Sequence, residues 1–259
     1  MALIQGSFMS ESLTRQVMFT AIIPADGFGP PGAEQKPLRS LYLLHGYTGS
    51  SLFWLSAYEL GTLASQHNLA IIMPDGENHF YTDDALLGYN WGKFVGQELV
   101  DYTRNVFPLL SREREDTMIG GISMGGYGAI RCGLQYRETF GKIIGISSAL
   151  VTDGIEQEPD KEFPREQWIS LFGELDKVPG SEHDPRHLAK QALAGGSIPD
   201  LYFACGEEDF LLQRNRNYRD FLQEIGFPFT YEEGPGGHEP RFTDPYLRRG
   251  VARACEERK

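Results

Sequence analysis

The run Gly121-Ile122-Ser123-Met124-Gly125, continued by Gly126, has the residue types of a serine nucleophile held on a sharp turn. It follows an apolar stretch with strand character, Thr117 to Ile122, and leads into a segment with helical spacing, Met124 to Tyr136. A serine between a strand and a helix must take a strained backbone conformation, and glycines two residues to either side let neighbouring segments approach without Cβ clashes. Such a turn lifts Oγ clear of a sheet. It also aims the first amides of the helix at a reaction centre, where the helix dipole favours an oxyanion. The chemistry expected is acyl transfer through a covalent intermediate.

A serine hydroxyl is a weak nucleophile at neutral pH, so a base must take its proton and a carboxylate must hold that base in the right tautomer. Of six histidines, His67 sits near the end of a helical pattern and His183 and His187 in a polar stretch, where a solvated surface role is expected. His238 lies in the loop Gly234-Pro235-Gly236-Gly237-His238-Glu239-Pro240, before the last helical segment, which suits a base. For the acid, Cys205-Gly206-Glu207-Glu208-Asp209-Phe210 offers three carboxylates. Asp209 is preferred because it adjoins Phe210-Leu211-Leu212, which should turn inward, while Glu207 and Glu208 face water.

The loop His45-Gly46-Tyr47-Thr48-Gly49-Ser50, after the apolar run Leu41 to Leu44, is placed to complete an oxyanion hole, with the N–H groups of Tyr47 and Met124 as donors and His45 as a brace. Aromatic residues crowd the segments around the serine, and Trp54, Trp91 and Tyr127 are candidates for the substrate-binding wall. Several aromatic walls would leave little room for a long acyl chain, so short acyl groups are expected.

The elements that must position these groups follow from short apolar runs alternating with helical patterns. Leu41–Leu44, Leu69–Met73, Thr117–Ile122, Lys142–Ser147 and Leu201–Cys205 read as buried strands; Ser56–Gln66, Phe94–Leu110, Met124–Tyr136 and Leu211–Ile225 read as helices. This predicts an α/β fold with a mostly parallel central sheet and helices on both faces. Val17–Ile23 with a partner around Leu3–Met9 should form an antiparallel pair at one edge, and Ala25–Lys36 a loop. Residues 151–198 break the alternation and read either as a solvated excursion between two strands or as a small cap with Phe163, Trp168, Ile169, Leu171 and Phe172 as its apolar face, within one domain spanning 1–259.

The 259 residues are 41% hydrophobic and 23% charged, a globular composition, and the net charge of −12 argues against nucleic acid or an anionic membrane as partner. A small ester substrate is expected instead; a homo-oligomer stays open. Cys132, Cys205 and Cys255 have no Cys-x-x-Cys spacing, so no zinc site or disulfide framework is expected, and a reducing cytoplasm suits them. Residues 1–20 lack the continuous apolar core of a signal peptide or membrane span.

Leu44-His45-Gly46-Tyr47-Thr48-Gly49, Gly121 to Ala129 and Cys205 to Leu211 together resemble the Putative esterase (esterase D) family, in particular its tributyrin-esterase-like branch of the α/β-hydrolases. The likeness runs from about Val17 onward. It implies an α/β-hydrolase fold, no cofactor and hydrolysis of acetyl or other short-chain esters, with Ser123 as nucleophile, Asp209 as acid and His238 as base. The chain order Ser, Asp, His is the one α/β-hydrolases use. S-formylglutathione hydrolases and feruloyl esterases share the Ser-Met-Gly-Gly signature and stay open as alternatives. Tyr127 stands where the formylglutathione enzymes usually carry histidine.

Overall fold

The computed structural model describes residues 1–24, 36–84, 88–157 and 163–256. Most of the loop expected at Ala25–Lys36 lies outside them. Strands β1 (Ala2–Ser10), β2 (Arg15–Ile23), β3 (Arg39–Leu44), β4 (Leu69–Pro74), β5 (Thr117–Ile122), β6 (Lys142–Ile146), β7 (Asp200–Gly206) and β8 (Phe229–Gly234) form one sheet in the order β1-β2-β4-β3-β5-β6-β7-β8. The β1–β2 and β2–β4 pairs are antiparallel and the rest parallel. The expected edge hairpin and parallel centre are both present.

Helices α1 (Ser51–Ala57), α2 (Leu60–His67), α3 (Trp91–Lys93), α4 (Leu99–Val106), α5 (Met124–Gln135), α6 (Arg165–Phe172), α7 (Pro185–Gly195), α8 (Leu212–Glu224) and α9 (Pro240–Cys255) cover both faces. The period-2 alternation of a strand sends successive side chains to opposite faces. Leu41 and Leu43 therefore pack with α1, α2 and α9, while Tyr42 and Leu44 pack with α4, α5, α7 and α8. Both faces of β3, β4 and β5 are buried, which is why these runs carry almost no polar residue.

Two helical boundaries differ from the sequence expectation. The stretch Ser56–Gln66 is not one helix but the end of α1 and most of α2, separated where Tyr58 becomes extended and turns its hydroxyl to within 2.6 Å of Thr243 Oγ1. The Phe94–Leu110 segment starts earlier, at Trp91, passes through a π-helical turn at Phe94–Glu98 and ends at Val106.

Within 151–198, α6 and α7 form a compact excursion that is tied to the body of the protein. Asp184 caps α7 by accepting from Arg186 N–H at 2.9 Å, Pro185 begins the helix and Gly196 ends it in the left-handed region. Trp168, Leu171 and Phe172 supply the buried face as expected, but Ile169 points outward.

Candidate active site

Ser123 occupies the bend between β5 and α5 at φ 58° and ψ −120°. A non-glycine residue at such angles costs about 1–3 kcal/mol, so the surroundings must enforce them. They do so through hydrogen bonds: Ser123 N–H donates to Ile146 O (3.0 Å), and Ser123 O accepts from Tyr127 N–H (3.0 Å) and Ala149 N–H (2.9 Å). The flanking glycines are required by close approach. A Cβ on Gly125 would lie 2.1 Å from Leu44 O, and one on Gly121 would lie 2.2 Å from Gly125 O. The first turn of α5 is thereby pressed against the end of β3, bringing the loop after β3 alongside the serine: a Cβ on Gly46 would stand 3.3 Å from Ser123 Cβ.

His238, in the loop between β8 and α9, holds Nδ1 2.9 Å from Asp209 Oδ2. Asp209 follows β7, its side chain fully buried, and its Oδ1 accepts from Leu211 N–H at 2.9 Å. Burial pushes the Asp209 carboxyl up. The hydrogen bonds from His238 and Leu211 and the neighbouring Ser147 hydroxyl outweigh that and hold it below its usual value. Glu207 and Glu208 are exposed, which leaves Asp209 as the carboxylate that meets the imidazole. The inward turn expected of Phe210 is not found: it is 63% exposed and lays its ring 4.7 Å from that of His238, while Leu211 alone of the three is buried.

Ser123 and His238 border the same two cavities. The larger, of about 340 Å³, is lined by Thr48, Ser50, Phe53, Glu239 and Pro240 among others. The smaller, of about 200 Å³, is walled by Phe80, Ala149, Val151, Phe163, Trp168 and Phe210. Tyr47 borders both. Met124 borders the smaller, and as the first residue of α5 its N–H has no acceptor within the helix.

The loop carrying Tyr47 is braced from the segment after β4. Thr48 N–H donates to Asn78 Oδ1 (2.7 Å) and Ser51 N–H to Asp75 Oδ1 (2.6 Å). His45 is buried: its Nε2 accepts from Gly76 N–H at 2.9 Å, and its Nδ1 lies 2.8 Å from Gly46 O. One nitrogen accepts and the other donates, so the ring is neutral, in keeping with a pKa that burial pushes below its usual value. The bracing role expected of His45 is what the geometry provides. Asp75 and Asn78 carried no sequence signal, because their task is set by a loop that meets them only in the folded chain.

Three residues expected at the substrate wall lie elsewhere. Trp54 is buried beneath α1 against Tyr58, because the helix turns Phe53 rather than Trp54 toward the cavity. Trp91 is buried with its ring stacked on His79. Tyr127 is buried behind Phe80, its ring centroid 5.9 Å from that cavity-lining ring, and its hydroxyl donates to His183 O at 2.7 Å. One turn on, the buried Arg131 donates from Nε to Glu182 O at 2.9 Å, so α5 holds the 151–198 excursion through two adjacent carbonyls. The aromatic wall is built instead by Phe53, Phe80, Phe163, Trp168 and Phe210. Periodicity could not separate these from the core aromatics, since most sit in loops or in the excursion. His183 is half-buried against Phe172 rather than solvated.

Among the described residues no three His, Cys, Asp or Glu side chains cluster as metal ligands. Nor is any helix among them long and apolar enough to cross a membrane. Comparison with known proteins adds a family match: the model of the Putative esterase family matches residues 10–238. An acetyl esterase of Caldicellulosiruptor saccharolyticus is 41% identical over 95% of this chain and 96% of its own length. Among solved structures, the fluorophosphonate-binding serine hydrolase FphF of Staphylococcus aureus superposes with a TM-score of 0.87 at 31% identity, covering 99% of both chains. The S-formylglutathione hydrolase FrmB of the same organism gives 0.84 at 32%, covering 98% of this chain and 99% of its own.

Proposed function

The chain belongs to the Putative esterase family, and from that premise we propose that it is a serine carboxylesterase acting on short-chain acyl esters. The observation that carries this reading is the strained Ser123 sharing two cavities with a His238 whose other nitrogen is held by the buried Asp209. Ser123 Oγ attacks the ester carbonyl carbon while His238 Nε2 takes its proton. The oxyanion is received by the N–H groups of Tyr47 and Met124, each such donor lowering the barrier by about 3 kcal/mol. Collapse breaks the bond to the leaving alkoxide, which takes the proton from His238. Water, deprotonated by His238, then attacks the acyl-enzyme, releasing the acid and restoring Ser123. Asp209 keeps the imidazole in the tautomer with its proton on Nδ1. The buried thiols of Cys132, Cys205 and Cys255 take no part in this chemistry and fit a cytoplasmic enzyme.

A fluorophosphonate probe should label Ser123 and abolish hydrolysis of p-nitrophenyl acetate; Ser123→Ala should lose both. Full turnover in that variant would overturn the assignment.

A second reading, S-formylglutathione hydrolysis, is favoured by the likeness to FrmB. Against it stands the lining of the larger cavity, where the described residues include Glu239 and no lysine or arginine to receive the carboxylates of a glutathione leaving group. The ratio of kcat/KM on S-formylglutathione to that on acetyl esters decides between the two.

A further inference from the structure

The two cavities at Ser123 differ in chemistry as well as size. The smaller one offers hydrocarbon walls, whereas the larger offers Thr48, Ser50 and Glu239. An acyl chain matches the first and a polar alcohol the second. Phe80, Val151, Phe163, Trp168 and Phe210 close round the smaller cavity's 200 Å³, so its aromatic walls set how long an acyl group can be. A short acyl group such as acetyl or butyryl suits such a space better than octanoyl.

Tyr47, like Ser123 and His238, borders both compartments, and it stands where the excursion meets the loop after β3. Tyr47 packs its ring against Phe163 (centroids 4.8 Å apart) and Phe80 (6.2 Å), both of which line the smaller cavity. Its hydroxyl accepts a hydrogen bond from Gln167 Nε2 at 2.9 Å. Gln167 precedes Trp168, which is buried and walls the same cavity, and α6 is itself fastened where Thr82 Oγ1 donates to Leu171 O at 3.2 Å. One rigid helix therefore sets a floor with one side chain and restrains the facing ring with the side chain before it.

We propose that Gln167 is a positioning residue that fixes the acyl-size limit by holding the Tyr47 ring as the partition between the two cavities. It touches neither the reacting atoms nor, among the described lining residues, either cavity, and it acts through Tyr47. Without the amide the phenol loses its polar tether, the ring is free to swing aside and the compartments join, so that longer acyl chains reach the serine productively. This inference rests on the esterase reading of the site.

The test measures kcat and KM on p-nitrophenyl acetate, butyrate and octanoate for the wild type, Gln167→Ala, Tyr47→Phe, the double variant and Gln167→Glu. In Gln167→Ala the octanoate-to-acetate ratio of kcat/KM should rise at least about tenfold, the discrimination that a tight apolar wall gives against added methylenes. Tyr47→Phe should shift the ratio the same way and the double variant no further, because both remove one hydrogen bond. Gln167→Glu, whose carboxylate can accept from the phenol O–H, should keep the wild-type profile. Loss of a structural support alone would lower all three rates together and leave the ratio unmoved. Fluorophosphonate labelling of Ser123 separates the two levels of failure. An unlabelled wild type sinks the esterase reading, whereas labelled, active variants with an unchanged or lowered ratio overturn the role of Gln167 alone. Should Gln167→Ala fail to fold, Tyr47→Phe carries the same test.

Discussion

Replacing Asp209 with asparagine changes one atom in the arrangement that prepares His238. Oδ1 remains to accept from Leu211 N–H, so the turn into α8 and the side-chain volume are kept. The atom facing His238 Nδ1 at 2.9 Å becomes an amide nitrogen, a donor in place of an acceptor. Two donors cannot pair, so the imidazole must offer the Nδ1 lone pair and carry its proton on Nε2, the nitrogen required to accept from Ser123. The fall expected in kcat is about 10⁴-fold. That corresponds to about 5 kcal/mol of transition-state stabilisation at about 1.36 kcal/mol per factor of ten. Asp209 lines neither cavity, so KM should move little. Stability should follow the depressed pKa of the carboxyl. Its contribution is complete above the ordinary aspartate range and is lost as pH falls through the lower folded value. The variant should therefore melt below the wild type at neutral pH, with the gap closing on acidification. Steady-state kinetics on p-nitrophenyl acetate, beside thermal unfolding from neutral to strongly acidic pH, reads both effects. A folded variant retaining more than about a tenth of wild-type kcat would refute the tautomer argument.

Other perturbations test other parts of the construction. Gly125→Ala places a methyl group 2.1 Å from Leu44 O and 2.7 Å from His45 O, both backbone, so α5 must back away from the loop after β3. Destabilisation of at least about 2 kcal/mol in urea unfolding and a drop in kcat are expected; a variant with wild-type values would show that the close approach is dispensable. His183 is pushed down to about 4 by burial and by the nearby Arg131 charge, against a smaller opposing pull from Asp83. The unfolded chain then binds the proton first, so stability should decline as pH falls from about 6.5. His183→Phe should flatten that decline, and an unaltered pH profile of unfolding would count against it. Trp54→Ala should cost about 3–5 kcal/mol of stability while leaving KM for acetyl esters near the wild-type value, since the side chain packs on Tyr58 beneath α1; a large rise in KM without loss of stability would restore Trp54 to the substrate wall.

The candidate reacting groups were legible in the chain because they rest on local constraints. A serine on a strand-to-helix bend demands small neighbours within two residues, and Gly121 and Gly125 announce it. The buried strands announce themselves through apolar runs, and the base through a glycine-rich loop. What surrounds the substrate was not legible, because an aromatic residue has the same composition whether it faces a core or a cavity. Only the pitch of α1 decided that Phe53 rather than Trp54 reaches the opening, and only the return of the 151–198 excursion decided that Tyr127 holds a carbonyl while Phe163 and Trp168 become walls. Gln167 meets Tyr47 across 120 residues, and Asn78 meets Thr48 across 30. Contacts of this kind are fixed by which elements the sheet brings side by side, so local spacing pointed to the proposed reacting groups and tertiary packing determined what surrounds them.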